Sequence, residues 1–134
     1  MESIFPSNID YLLWPNESLY QKVSTAIAVH DLTGKIIFIN KVAEEVLGYT
    51  IDELKGKDIS VLIPGSKVEE ERIITKNFFS GQPNQNYSTL RKCKNGIVLE
   101  LSDKMFPIIN PENKVIGFLN AYKNLKPPYC GRIP

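Results

Sequence analysis

The spacing of apolar residues changes twice along the chain, from strand-like to helical at residue 41 and back again after Pro83. The first stretch holds two short runs rich in β-branched and aromatic residues, Ala26–Asp31 and Lys35–Asn40, parted by Leu32-Thr33-Gly34. Such runs on either side of a glycine-bearing turn predict a β-hairpin. Lys35–Asn40 is apolar at both parities: Ile36 and Phe38 would share one face, and Ile37 and Ile39 the other. A sheet open to water on one side alternates instead, so the pattern predicts that the outer face of this strand is covered too.

Asn40 ends the second strand and can cap a helix over residues 41–47, offering its side-chain oxygen to free backbone N–H groups. Val42, Ala43, Val46 and Leu47 fall on one face of that helix, and Gly48 can stop it in a left-handed conformation. Thr50-Ile51-Asp52-Glu53 is a capping-box pattern that opens a second short helix ending near Gly56. Ser66-Lys67-Val68-Glu69 repeats the pattern and opens a longer helix to Gly81, with Val68, Ile73, Ile74 and Phe78 inward. Between the two, Ile59–Ile63 is apolar and reads as irregular, closed by Pro64-Gly65.

Beyond Gln82-Pro83 the period returns to two. Residues 86–92 read as a strand, and Asn95-Gly96 is a hairpin turn, since both residues tolerate positive φ. Residues 97–109 then alternate, with Ile97, Leu99, Leu101 and Met105 on one face and Val98, Glu100, Ser102 and Lys104 on the other. Asn110-Pro111-Glu112-Asn113 turns the chain into a last strand over residues 114–123. Two strands, three short helices and three strands predict an α+β fold, one five-stranded antiparallel sheet with its helices on one face.

Residues 1–24 read as an N-terminal extension, broken by Pro6 and Pro15, with an apolar cluster at Leu12-Leu13-Trp14 and a short helix over 17–24 capped by Asn16. Residues 25–124 form the domain, and residues 125–134, with three prolines and a glycine, are an irregular tail. At 134 residues, one hydrophobic core is expected. Sixteen Lys and Arg against fifteen Asp and Glu leave no basic stripe, which argues against a nucleic-acid binder. No apolar run approaches the ~20 residues of a membrane span. Met1-Glu2-Ser3-Ile4-Phe5-Pro6 has neither the basic nor the apolar region of a signal peptide. Two cysteines, Cys93 and Cys130, make no disulfide framework and are expected as reduced thiols in a cytoplasmic protein.

The ordered set of turns and caps resembles the PAS family. Asp31-Leu32-Thr33-Gly34-Lys35-Ile36 is similar to that family's first turn, and Asn40 with Ala43, Leu47 and Gly48-Tyr49 to its second strand and following helix. Glu53-Leu54-Lys55-Gly56 resembles its short helix, Lys94-Asn95-Gly96 its later hairpin turn, and Val115-Ile116-Gly117-Phe118 the start of its final strand. The likeness runs over roughly residues 25–124. It implies the PAS fold and a cytoplasmic sensory or signal-relay module that catalyses no reaction. Its output partner would be a kinase, a cyclic-dinucleotide enzyme or a transcription regulator. The sequence departs from the family at Asn124-Leu125-Lys126, where Asp-Ile-Thr is common, and Pro127-Pro128 forbids a continuous helix leaving there.

Each chemistry hosted by the family can be tested on its residues. Flavin-binding light-oxygen-voltage members carry Asn-Cys-Arg-Phe-Leu-Gln after the short helix; the stretch here is Asp58-Ile59-Ser60-Val61-Leu62-Ile63, with no cysteine, so flavin is not expected. Haem needs an axial ligand, usually a histidine on the longer helix, and the only histidine is His30 on the first strand. A metal site wants several His, Cys or carboxylate groups at ligand spacing, and none is expected. No nucleophile, base and orienting group stand together in the sequence.

Two functions remain open. A small apolar ligand would be enclosed by Val61, Ile63, Ile74, Phe78, Leu99, Leu101 and Tyr122, with Tyr87 and Ser102 as polar anchors. Alternatively the domain is purely a protein–protein interaction module, a homodimer held through the extension at Leu12, Leu13, Trp14, Leu19, Tyr20 and Val23 against Ile37 and Ile39 of the sheet.

Overall fold

The computed structural model describes residues 12–13, 17–79 and 86–124. In chain order the elements are β1 (Leu12–Leu13), α1 (Glu17–Tyr20), β2 (Ala26–Asp31), β3 (Ile36–Ile39), α2 (Lys41–Leu47), α3 (Ile51–Leu54), α4 (Val68–Phe79), β4 (Asn86–Lys92), β5 (Val98–Ile109) and β6 (Val115–Asn124). Two short 3-10 turns, Ile59–Leu62 and Gly65–Lys67, lie between α3 and α4.

Two hairpins are closed by the same device. Asp31 Oδ1 accepts from the Thr33 and Lys35 backbone N–H groups, at 2.9 Å each, while Gly34 takes a φ of +93°. Asn110 Oδ1 accepts from Lys114 N at 3.0 Å, and Asn113 takes φ +63°. A short acceptor side chain holds the turn, and the left-handed position goes to glycine or asparagine, the residues that tolerate it. At the third hairpin only Gly96 has positive φ (+89°), and Asn95 contributes its side chain, Oδ1 accepting from Ile97 N.

Five strands form an antiparallel sheet in the order β4-β5-β6-β2-β3, the α+β arrangement predicted. β1 adds a sixth, parallel to β5, with Leu12 opposite Ile108 and Leu13 opposite Ile109. Residues 12–13 of the extension therefore join the sheet edge. β4 pairs with Val98–Lys104 and β1 with Ile108–Ile109, which leaves Pro107, lacking an N–H, in the stretch that neither neighbour uses.

Asn40 caps α2 as predicted, accepting from Ala43 N at 2.9 Å, and does more. Its Oδ1 also accepts from Ile27 N, and its Nδ2 donates to the Tyr20 and Thr25 carbonyls. Fully buried, it ties the helix, β2 and the end of α1 at one point. Gly48 closes α2 at φ +81°, and Thr50 with Glu53 forms the predicted capping box of α3.

The two larger of three apolar clusters lie on opposite faces of the sheet. On its inner face Ala26, Ala28, Ile39, Leu101 and Tyr122 pack against Ala43, Val46 and Leu47 of α2, Leu54 of α3 and Leu62. On its outer face Ile27, Val29, Phe38, Ile108 and Leu119 pack together with Tyr20, whose ring stands 6.3 Å from that of Phe38. The predicted cover over the outer face is thus present in part, through Tyr20.

Several expectations are corrected. Ile39 faces the inner cluster, because a bulge opposite Val29/His30 leaves Ile37 without a Cα partner and shifts the parity after it. α1 ends at Tyr20, short of residue 24. Ile59–Leu62 is a 3-10 turn capped by Asp58 and not irregular. The second capping box is replaced by the turn Gly65–Lys67, whose capping position is Pro64 with no side-chain acceptor. Ile73 is exposed, since Val68 and Glu71 hold the inward side of α4. Ile97 precedes β5 and is exposed as well. Among the described residues no helix is long and apolar enough to cross a membrane.

Candidate functional site

At the end of the inner face away from α2, the apolar core gives way to polar groups. β4 places Arg91 on the inner face opposite Leu99, and β5 places Asp103 there opposite Tyr122. The Arg91 side chain is 2% exposed and that of Asp103 0%. A guanidinium has five N–H donors, and all five of Arg91 have acceptors. Nε donates to Tyr122 Oη at 3.1 Å. Nη1 donates to Thr89 Oγ1 and to the Leu90 carbonyl. Nη2 donates to Glu71 Oε1 at 2.9 Å and to Asp103 Oδ2 at 3.4 Å.

This cluster ties α4 to the sheet, because Glu71 sits on α4 and also accepts from Thr89 Oγ1. Burial by itself would lower the Arg91 pKa; the Tyr122 hydroxyl, Asp103 and Glu71 outweigh it and hold the group above its ordinary value. It is a permanent cation. Burial likewise raises the Tyr122 phenol, against the partial opposition of Arg91, so that group stays neutral.

Beside the cluster lies a cavity of about 260 Å³. Its floor is the sheet, with His30, Arg91, Met105, Phe118 and Asn120, and its roof is the 3-10 turn and the start of α4, with Ile59, Ile63, Val68 and Glu71. Asp31 and Asp58 stand among its other lining residues.

Two buried floor residues carry polar atoms with no hydrogen-bond partner among the described residues. His30 is 8% exposed and its Nδ1 lies 3.1 Å from the Asp31 carbonyl. A carbonyl only accepts, so Nδ1 carries the proton and Nε2 is a bare acceptor. Burial lowers the His30 pKa, against the backbone contact that raises it, so the ring is neutral. Asn120 is 3% exposed; its Nδ2 reaches the Ala28 carbonyl at 3.5 Å, which leaves Oδ1 as the second acceptor. The two come together because Gly117 lets β6 run close to β2: a Cβ at Gly117 would stand 2.4 Å from the His30 carbonyl oxygen.

The sequence-predicted pocket residues are only partly gathered here. Ile63 lines the cavity. Val61, Leu99, Leu101 and Tyr122 belong to the packed core beside it, and Ser102 is half-buried opposite Ser88. The side chains of Ile74, Phe78 and Tyr87 lie outside the described residues. Of the interface candidates, Tyr20 and Ile37 are on the outer face, Ile39 is on the inner face and Val23 is exposed. Trp14 and the side chains of Leu12, Leu13 and Leu19 lie outside the described residues.

The walls differ from the apolar pocket expected, and the residues that make the difference had a signal. Asp103 shares the parity of Leu99, Leu101 and Met105, and Asn120 that of Phe118 and Tyr122. A polar residue on an apolar parity marks a buried polar site. Cys93 is also corrected: it is disulfide-bonded, its sulfur 3.7 Å from the Val46 carbonyl, and not a reduced thiol. A count of two cysteines could not decide this. Cys130 lies outside the described residues.

The geometry can now be set beside known proteins. A sequence model of the PAS fold matches residues 16–121. No curated protein matches the chain. Among solved structures, the PAS domain of a protein from Colwellia psychrerythraea superposes with a TM-score of 0.74 at 22% identity, covering 81% of this chain and 92% of that one. The PAS domain of an HTR-like protein from Haloarcula marismortui gives 0.64 at 21% identity, over 81% and 93%. The LOV protein of Rhodobacter sphaeroides gives 0.70 at 13% identity, over 82% of this chain and 65% of that one. At these identities the likeness is one of fold.

Proposed function

The chain belongs to the PAS family, and from that premise we propose that it is a non-catalytic sensory module whose cavity beneath α4 binds a small molecule. One observation carries the reading: two polar side chains of the cavity floor, His30 and Asn120, each have an acceptor that no described residue engages. Both acceptors keep access to the cavity, so the occupant these two residues would hold best is one that supplies donors.

The same geometry gives a route for the signal. Glu71 lines the cavity and bonds Arg91 and Thr89 of the sheet. A molecule that enters the cavity alters this tie and with it the seat of α4, while the sheet stays fixed. Such a shift changes an equilibrium only if the occupant binds one position of α4 better than the other.

The sensor reading is tested by a native mass spectrum and an absorbance spectrum of freshly purified protein. A retained small molecule, lost on Asn120→Leu, supports it. Absorbance of haem, or of flavin as named for one light-oxygen-voltage domain, would replace the small-molecule reading with a chromophore.

A second reading is favoured by the outer face. Its centre, Ile27, Val29, Phe38, Ile108 and Leu119, is already buried within the chain, and the half-buried Ile37, Phe106 and Ile116 that border it are the apolar groups left for a partner. Such a face supports a homodimer, or the docking of an output domain, through residues near Tyr20. Sedimentation of the chain with and without residues 1–24 separates the two: a dimer unchanged by the loss removes the extension from the interface. The expected cytoplasmic location loses the support of free thiols, since Cys93 is disulfide-bonded. Alkylation of the native protein with and without reductant reports whether Cys93 is bonded in solution.

A further inference from the structure

We infer that the molecule this cavity selects is a small organic cation, an ammonium group on an apolar body; the inference rests on the cavity being a binding site. Three independent features converge on that chemistry.

The first is the state of the buried cation. Arg91 is the group that would recruit a carboxylate or phosphate, yet each of its five N–H donors is already taken, by Tyr122, Thr89, Leu90, Glu71 and Asp103. An anion could reach it only by displacing two carboxylates. The second basic residue at the cavity, Arg72, is exposed and paired with Glu69 at 3.2 Å.

The second feature is the polarity of what is left. With Nδ1 of His30 donating to a carbonyl and Nδ2 of Asn120 turned to Ala28, the atoms presented are Nε2 and Oδ1, both acceptors. They sit on neighbouring strands of one face, His30 opposite Phe118 and Asn120 opposite Ala28. A ligand that satisfies both must donate.

The third feature is charge. Asp31, Asp58 and Glu71 line the cavity against Arg72 and Arg91, and Asp103 stands behind Arg91. Carboxylates outnumber cations, which favours a positive occupant. Ile63, Met105 and Phe118 supply apolar wall for the rest of the molecule. An acidic rim alone would be unremarkable; two acceptors on nine-tenths-buried side chains, open to the cavity, give it a direction.

The experiment titrates the intact protein with three matched probes, 2-phenylethylamine, 2-phenylethanol and 3-phenylpropionate, following the His30 ring nitrogens and the Asn120 side-chain amide by NMR. The amine should bind about tenfold or more tighter than the alcohol, the difference expected of a charge-assisted hydrogen bond, and the carboxylate weakest. The His30 Nε2 resonance should move, and Asn120→Leu should weaken the amine most. Asp58→Asn, which removes the charge but keeps an acceptor for Ser60 N, should also weaken the amine and strengthen the carboxylate relative to it. Tightest binding by the carboxylate would overturn the cation assignment and leave the cavity as a site. Shifts confined to outer-face groups such as Phe38 and Leu119, or no saturable shift with any probe, would overturn both.

Discussion

The two faces of the sheet are made by the same strands, residue by residue in alternation, yet they bury different chemistry. The outer face holds Ile27, Val29, Phe38, Ile108 and Leu119, all apolar. The inner face begins in the same manner at Ala26, Ala28 and Leu101, then carries Arg91, Asp103, Asn120 and His30, each less than a tenth exposed. Burial on the outer face is a matter of area, to which any side chain of suitable size and shape contributes. On the polar end of the inner face it depends on partners, so the loss of one group exposes the desolvation cost of the others. A face that costs stability in this way is the one expected to serve binding.

The comparison breaks most sharply at Arg91. Arg91→Met should lower stability by roughly 3–5 kcal/mol, because Asp103 and Glu71 lose their buried cation. Adding Asp103→Leu should return a good part of it. Urea denaturation of the single and double variants measures both; a single variant within about 1 kcal/mol of wild type would show that the cluster is not coupled. On the other face Phe38→Ala should cost about 3–4 kcal/mol through lost burial and the void left behind. No charge change elsewhere should restore it, which is the contrast to look for.

Asn40→Ala comes next, at roughly 2–3 kcal/mol. It removes a helix cap worth about 1 kcal/mol and also strips partners from Ile27 N and from the Tyr20 and Thr25 carbonyls. A thermal midpoint that falls by no more than a lone cap predicts would mean that its ties to the extension contribute nothing. The smallest effect is a slope with pH. His30 is held neutral, its pKa below the ordinary imidazole value of 6.5, mainly by burial. The unfolded chain therefore binds the extra proton first, and the associated stability, present above about pH 6.5, is lost as pH falls through the folded value. Denaturation midpoints should decline from pH 7 downward, and His30→Gln should flatten that part of the profile.

Much of this was legible in the residues themselves. The Asx turn at Asp31, the cap at Asn40, the stop at Gly48 and the box at Thr50-Glu53 are local devices, closed by bonds within a few positions, and they stand where the sequence pointed. The candidate site was only half legible. Ile63 was found because it is apolar and near a turn, whereas Arg91, Asp103 and Asn120 look like surface residues when read alone. Ile39 was assigned to the wrong face because one unpaired residue, Ile37, inverts everything after it.

The sequence by itself determined the order of strands and helices, the turns between them and the family, since these follow from period, capping and backbone preference over short spans. The partners of Arg91 across twelve, twenty and thirty-one positions, the cavity beside them and the disulfide at Cys93 were decided only in the tertiary structure. The physical reason is that a buried polar group is chosen by which strands come side by side, and strand pairing is a property of the whole sheet.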